Sequence, residues 1–184
     1  MKIRPAQKAD AASLAALSIE VWVGTYLKRG VNSFFAEFAL SEFTAARFEA
    51  LLQDGQDLLM VSENEEGIDG YIRLAENRIA PVDRPSDLEI VTFYVQPRHH
   101  GKGIGSSLLD IAIDYAREKG RQSIWLTTNS ENTTAIDFYL AKGFEQVGVT
   151  DFRIGDQAYP NHVLVLNTSP EDQTTRMNPV NPVF

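Results

Sequence analysis

The chain has 184 residues, 43% of them hydrophobic, a formal net charge of −8 and no cysteine. That length and apolar content suit one domain with its own core. The missing cysteine excludes disulfides, thiolate metal sites and a thiol nucleophile, and the acidic balance excludes the basic footprint of a nucleic-acid binder.

The first ten residues, MKIRPAQKAD, lack the apolar core of a secretory signal. No apolar run reaches the roughly 18 residues a membrane span needs. A cytoplasmic protein with no membrane partner is the default expectation. In chain order, Lys2–Arg4 reads as a short strand ended by Pro5, and Asp10 as the N-cap of a helix. Leu14, Leu17 and Val21 share one face of that helix. Trp22, Tyr26, Phe34, Phe35 and Phe38 follow around Gly24 and Gly30, which predicts a helix, a bend and a second helical segment. A third helix over Ser41–Leu52 would bury Phe48, Leu51 and Leu52, with glycine just beyond its end. Asp57–Ser62 and Ile68–Glu76 read as a hairpin about the polar ENEEG. NRIAPVDRPSD reads as a loop because of its prolines.

Leu88–Val95 is rich in β-branched and aromatic residues, the composition of a strand buried on much of both faces. Ile104, Leu108, Ile111, Ala112 and Tyr115 then mark a helical face, stopped at Gly120. Ser123–Thr128 is a further strand, ENTTAIDFYLAKG a helix closed by Gly143, and FEQVGV and HVLVLN two last strands. From Thr168 the proline-containing TSPEDQTTRMNPVNPVF has few apolar residues and reads as a mobile tail, 168–184, beyond a domain of residues 1–167. Strand, helix, strand across Leu88–Thr128 implies a right-handed parallel crossover. The whole order predicts an α/β (α+β) domain, its mixed, mostly antiparallel sheet of about six to seven strands flanked by helices on both faces.

Between the Leu88–Val95 strand and the next helix lies QPRHHGKGIGSS. A helix start leaves backbone N–H groups without partners and carries about half a positive charge. Glycines there let the main chain approach a ligand closely. The combination suits an anion, most naturally phosphate, with Arg98 and Lys102 adding charge. Neither G-x-x-x-x-G-K-[ST] nor the dinucleotide fingerprint is met, since Ser106 stands where the latter wants glycine.

The same stretch resembles motif A of the GNAT acetyltransferases, [QR]-x-x-G-x-[GA], with Gly103 and Gly105 at its glycine positions and His100 where Gln or Arg is usual. Downstream, NTTAIDFYLAKGF looks like that family's motif B, N-x-x-A-x-x-x-Y-x-x-x-G-F. Asn132, Ala135 and Tyr139 share a helical face there. The likeness spans about Lys2 to Asn167 and is firmest over Leu88–Phe144. It implies that His100, Gly101, Lys102, Gly103, Ile104, Gly105 and Ser106 cradle the diphosphate of acetyl-CoA. It also implies that the main chain of Tyr94 and Val95 pairs with the pantetheine, and that Asn132 and Tyr139 line the same cofactor.

An amine acceptor has a pKa of about 10.4 and must shed a proton before attacking a thioester. The departing thiolate gains from a proton donor, and the transient oxyanion from an aimed N–H. Glu89 is the candidate base: it sits in an otherwise apolar strand, and its spacing matches the catalytic glutamate of the family's histone-acetylating branch. Simple alternation would put it on one face with Val91, Phe93 and Val95 unless a bulge intervenes. Tyr139 is the candidate acid, and the Val95 N–H the oxyanion donor. His99, His100 and His162 make a poor metal set without carboxylate support, so no metal is expected. The segments EVWVGTY, YIRL and FRIGD look like bacterial polyamine acetyltransferases. That likeness implies an aliphatic polyamine packed on Trp22, Tyr26 and Phe35, its far ammonium paired with Glu37, Glu42 or Asp151. Peptide N-termini, small xenobiotic amines and a non-catalytic acyl-CoA-binding module are the alternatives, and a free strand edge would allow a homodimer.

Overall fold

A computed structural model of the chain describes residues 1–83 and 86–169. Seven strands form one sheet in the order β1-β2-β3-β4-β5-β7-β6. They are β1 Lys2–Pro5, β2 Leu58–Glu63, β3 Ile68–Glu76, β4 Leu88–Val95, β5 Ser123–Asn129, β6 Glu145–Ile154 and β7 Gln157–Asn167. Helices α1 Ala11–Tyr26, α2 Ser33–Glu42 and α3 Ala45–Asp54 precede β2, α4 Ile104–Glu118 joins β4 to β5, and α5 Thr133–Ala141 joins β5 to β6. Among the described residues only β4 and β5 pair in parallel; the other neighbours are antiparallel.

Two layers of core hold the sheet. On one face Ile72, Leu74, Leu88, Ile90, Ile124, Leu126 and Leu164 meet α4 and the α5 residue Tyr139. The stripe of α4 that enters this core is Ile104, Leu108, Leu109, Ala112 and Ala116; Ile111 and Tyr115 lie half-buried at its margin. On the other face Leu59, Val61 and Tyr71 meet Leu14, Leu17 and Phe48 of α1 and α3. Helices therefore cover both faces, as a sheet with apolar residues on both sides requires.

Several boundaries differ from the sequence reading. Asp10 does not cap α1 with its side chain. It accepts the Arg4 guanidinium at 2.7 and 3.0 Å and the Gln7 N–H at 2.7 Å, so a 3₁₀ turn precedes the helix. Arg4 accordingly holds the Asp10 carboxyl below its ordinary range. Helix α1 runs through Gly24 without a bend. A helical glycine costs about 1 kcal/mol, which burial of Trp22 and half-burial of Tyr26 on either side outweighs. Ser41 belongs to α2, and α3 begins at its N-cap Thr44, whose side chain accepts the Arg47 N–H at 3.3 Å.

The final hairpin is longer than predicted, turning at Gly155, where φ is +55°. Its outer half carries Phe152 and Tyr159, which pack on Trp22, Tyr26, Phe35 and Phe38. Residues 77–83 after β3 do more than connect. Ala80 and Val82 cover Trp125, Val163 and Val165 on β5 and β7, and a Cβ at Gly148 would stand 2.6 Å from Val82. Thr168, assigned above to the tail, is 1% exposed, and its N–H and hydroxyl donate to the carbonyls of Gln122 and Arg121. The remainder of the tail, from residue 170, lies outside the described residues.

At the end of β3, Glu76 accepts hydrogen bonds from Tyr115 at 2.6 Å and Arg121 at 3.0 Å, with Lys119 at 3.2 Å. These donors lower its pKa from 4.5 to about 2. A depressed carboxylate stabilises the fold fully above its unfolded pKa and loses that contribution as pH falls through the folded value. Urea midpoints should therefore drop between pH 4.5 and about 2 for the wild-type chain, and the drop should be smaller in Glu76→Gln.

Candidate active site

Strand β4 is not regular. Arg73 pairs with Thr92 but Leu74 with Ile90, so Val91 is an extra residue bulged from the ladder. A bulge reverses the alternation beyond it. Leu88, Ile90, Phe93 and Val95 consequently share the α4 face, while Tyr94 packs with Tyr71 on the α1 face. The expected grouping of Glu89 with Phe93 and Val95 fails. Glu89 instead shares the α1 face with Thr92 and Tyr94.

Beyond the bulge β4 also loses its other neighbour. Its pairing with β5 is confined to Glu89 opposite Trp125. From there on, the β4 edge that faces β5 is open. The Gln96 N–H donates to Asp69 on the β3 side, and the Tyr94 oxygen lies on that side too, 3.1 Å from where a Gly70 Cβ would stand. By two-residue alternation the Val95 and Phe93 main chain points into the opening. The Tyr94 main chain is committed to β3, which removes it from the pantetheine pairing expected above.

The loop after β4 begins with a 3₁₀ turn, Pro97–His99. His100 folds back so that its Nε2 lies 3.0 Å from the Val95 oxygen, which makes Nε2–H the donor. Gly101 and Gly103 follow with φ of +75° and +84°, the left-handed region that glycine enters freely. Gly103 is the N-cap of α4, and the first main-chain bond of the helix runs from Ser107 N–H to the Gly103 oxygen. Among the described residues, none of the amides from Gly101 to Ser106 has an acceptor. Six consecutive unpaired N–H groups at a helix start form a strong anion cradle. Gly105 serves packing as well: a Cβ there would stand 3.4 Å from Phe138 of α5, which sets how closely the two helices approach.

Helix α5 brings Tyr139 against Phe93, Phe138 and Phe144, with ring centroids 5.4 to 6.1 Å apart. Tyr139 is 7% exposed, and no described residue hydrogen-bonds its hydroxyl. Burial pushes the phenol up, so it stays protonated at any working pH. Asn132 caps α5, its side-chain oxygen accepting the Ala135 N–H at 3.3 Å. Burial likewise raises the Glu89 carboxyl, against the opposing pull of Arg78 and Arg73.

The Tyr94 hydroxyl lies within electrostatic reach of those of Tyr26, Tyr71 and Tyr139. Burial raises the Tyr26 phenol, with Asn129 at the end of β5 opposing the shift. Of these phenols, those of Tyr71 and Tyr94 escaped the sequence reading. Asn129 escaped it too. Tyrosine in a buried strand or helix reads as core, and convergence from β3, β4, α1 and α5 has no sequence period. Trp22, only 4% exposed, is enclosed by its aromatic neighbours, whereas Tyr26 and Phe35 are half-exposed. Of the three carboxylates expected near a distal ammonium, Glu42 is paired with Arg47 at 2.5 Å and Asp151 lies 3.8 Å from Arg153, while Glu37 is exposed. Among the described residues no group of three or more histidines and carboxylates is placed to hold a metal, and no helix is long and apolar enough to cross a membrane.

Fold and site together define a class: α/β proteins in which a glycine turn with unpaired main-chain amides opens beside a gap between two parallel strands. Residues 26–144 match the acetyltransferase (GNAT) family, and the chain belongs to that family. An uncharacterised N-acetyltransferase of Methanocaldococcus jannaschii is 29% identical over 128 residues, 70% of this chain and 55% of the relative. One from Archaeoglobus fulgidus is 28% identical over 142 residues, covering 77% of this chain and 91% of its own length. The chain thus spans only about half of the first of these relatives. In structure it is similar to the PaiA N-acetyltransferase of Thermoplasma acidophilum, crystallised with coenzyme A, with TM-score 0.70 at 20% identity over 90% of this chain and 98% of that one. It is also similar to YncA of Salmonella typhimurium, a putative acetyltransferase crystallised with acetyl-CoA, with TM-score 0.64 at 24% identity over 92% and 94% of the two chains.

Proposed function

We propose that the chain transfers the acetyl group of acetyl-CoA to a primary amine by direct attack, both substrates being bound together. The observation that carries this is the run of six unpaired amides, Gly101 to Ser106, at the mouth of the β4–β5 opening. A diphosphate held there leaves the pantetheine to run along the open edge of β4, pairing with the main chain of Phe93 and Val95. The Val95 N–H then donates to the thioester oxygen as charge develops on it. Coenzyme A supplies the activated acyl group, and the protein positions it.

The bulge at Val91 separates the two proton-handling residues across the sheet. Glu89 lies on the α1 face and takes a proton from the approaching ammonium, directly or through one water. Tyr139 lies on the α4 face and donates to the leaving sulfur. The opening between β4 and β5 joins the two faces, so amine and thiol stand on opposite sides of the reacting carbonyl. Glu89 must be ionised to act, and burial has raised its pKa. Wild-type kcat/KM should therefore fall as pH drops through a value above the ordinary 4.5. Glu89→Gln should lose that acidic limb and about 10²-fold in kcat.

The deciding experiment is thiol release from acetyl-CoA across a panel of aliphatic polyamines, peptide N-termini and small xenobiotic amines. Release with any amine supports the reading. Tight coenzyme A binding with no release across the panel would make the chain a non-catalytic acyl-CoA-binding module. Loss of affinity for coenzyme A would remove the reading altogether.

A further inference from the structure

The turn that leads into the amide cradle rests on two carboxylates. Glu20 of α1 accepts the Arg98 guanidinium at 2.6 Å and the Gln96 Nε2–H at 2.8 Å. Those donors, Arg98 foremost, hold its carboxyl below the ordinary range, so Glu20 stays ionised and matched by a cation. Asp69, next to Gly70 in β3, is matched differently. Its main-chain oxygen accepts the Gln96 N–H at 2.9 Å, and its Oδ2 accepts the Asn64 Nδ2–H at 3.0 Å. Its Oδ1 is enclosed and has no partner among the described residues. Beside it is His99, the last residue of the 3₁₀ turn, whose Nδ1 is likewise enclosed and unpartnered. Nδ1 stands 3.7 Å from Asp69 Oδ2, too far for a hydrogen bond and close enough for an ion pair. Buried polar groups left without a bond are destabilising. A proton on the imidazole and a movement of the turn by less than about 1 Å would join these two by a charge-assisted bond.

Asp69 is 4% exposed and lines a cavity of about 210 Å³ with Met1, Asn64, His99 and two members of the cradle, Lys102 and Ile104. A buried carboxylate beside an anion site repels the anion through a medium that screens poorly. An imidazolium at His99 cancels that charge, and a neutral imidazole leaves it. An arriving diphosphate therefore favours the protonated pair. We propose that His99 is a positioning residue that takes up a proton from solvent as the diphosphate binds, its Nδ1–H closing on Asp69 and fixing the turn ahead of Gly101. The proposal rests on the coenzyme A reading above. The bound state holds the extra proton, so affinity strengthens as pH falls and weakens as pH rises. Other charged groups meet the same turn: Glu20 and Arg98, paired with each other, Lys102 and Met1 on the cavity, and His100, whose ring is engaged with the Val95 oxygen. Imidazoles and α-amines as a class titrate near neutrality, so variants at Asp69 and His99 must separate this pair from His100 and Met1.

The test is calorimetry with 3′-dephospho-coenzyme A, which keeps the diphosphate and lacks the phosphate monoester that itself titrates near about pH 6. Affinity is measured from about pH 6 to about pH 8, in two buffers of different ionisation enthalpy so that the protons taken up are counted. Wild-type affinity should rise about fivefold from the basic to the acidic end, the order that one partly screened unit charge supplies. Asp69→Asn keeps the shape and removes the charge. It should bind at the basic end as tightly as the wild type binds at the acidic end, with the pH dependence flattened. His99→Gln should flatten it too, but at the weaker affinity, because the Asp69 charge remains. A gain at basic pH in Asp69→Asn is a result that a purely structural role would not give. Wild-type affinity independent of pH overturns this inference alone. So does a slope that both variants keep, which belongs to His100 or Met1, and so does an Asp69→Asn protein weakened at both ends, which marks a packing role. If His99→Gln fails to fold, Asp69→Asn decides by itself. A wild type that binds at no pH overturns the coenzyme A reading, and this inference with it.

Discussion

Tyr139→Phe is expected to lower kcat by about 10²-fold, the low end of what a positioned proton donor contributes, while acetyl-CoA affinity stays within about twofold. Two observations set the expectation. The residue is buried, yet its hydroxyl oxygen is not fully enclosed and has no hydrogen-bond partner among the described residues. A ligand atom arriving beside Phe93 would supply that partner. Burial has also raised the phenol's pKa, so complete transfer to a thiolate with a free pKa of about 8.5 is uphill. The hydroxyl therefore stabilises sulfur mainly by donating a hydrogen bond as charge builds, and the loss should appear in kcat. Phenylalanine preserves the ring contacts with Phe93, Phe138 and Phe144, so stability should change little. Equal turnover in the two proteins would remove Tyr139 from the mechanism.

Gly103→Val should weaken coenzyme A binding by at least about tenfold, because a non-glycine residue in the left-handed region costs about 1–2 kcal/mol and a β-branched one more. Gly103 has φ of +84°, and a Cβ there would meet nothing within 4 Å. The penalty is therefore conformational and not a clash. Relief comes by rotating the N-cap of α4, which reorients the amides from Gly101 to Ser106. The reading is calorimetric: affinity for coenzyme A should fall, whereas affinity for dephosphorylated pantetheine, which lacks the diphosphate, should hardly change. A variant that binds coenzyme A as tightly as the wild type would show that these amides are not the anion site.

The cradle was legible before any coordinates because it is local. A strand, a glycine turn and a helix start occupy consecutive residues, and the chemistry of unpaired amides follows from their order alone. The placing of Asn132 and Tyr139 on one helix was legible for a similar reason, through their spacing. The face of Glu89 was not. A period of two assigns it to Phe93 and Val95, and the single extra residue Val91 reverses the answer. A bulge leaves no reliable trace in composition, since Val91 is as good a strand residue as its neighbours. The main chain of Tyr94 was misjudged on the same account: which amide faces the opening depends on register with β3.

The sequence by itself determined the class of fold, the family and the glycine turn before α4, which rest on patterns among residues near in the chain. The tertiary structure alone decided two things. It parted β4 from β5 beyond Glu89, and it set Glu89 and Tyr139 on opposite faces of the sheet. Each depends on strand register and helix docking between segments dozens of residues apart, where packing energy and not local preference selects the arrangement.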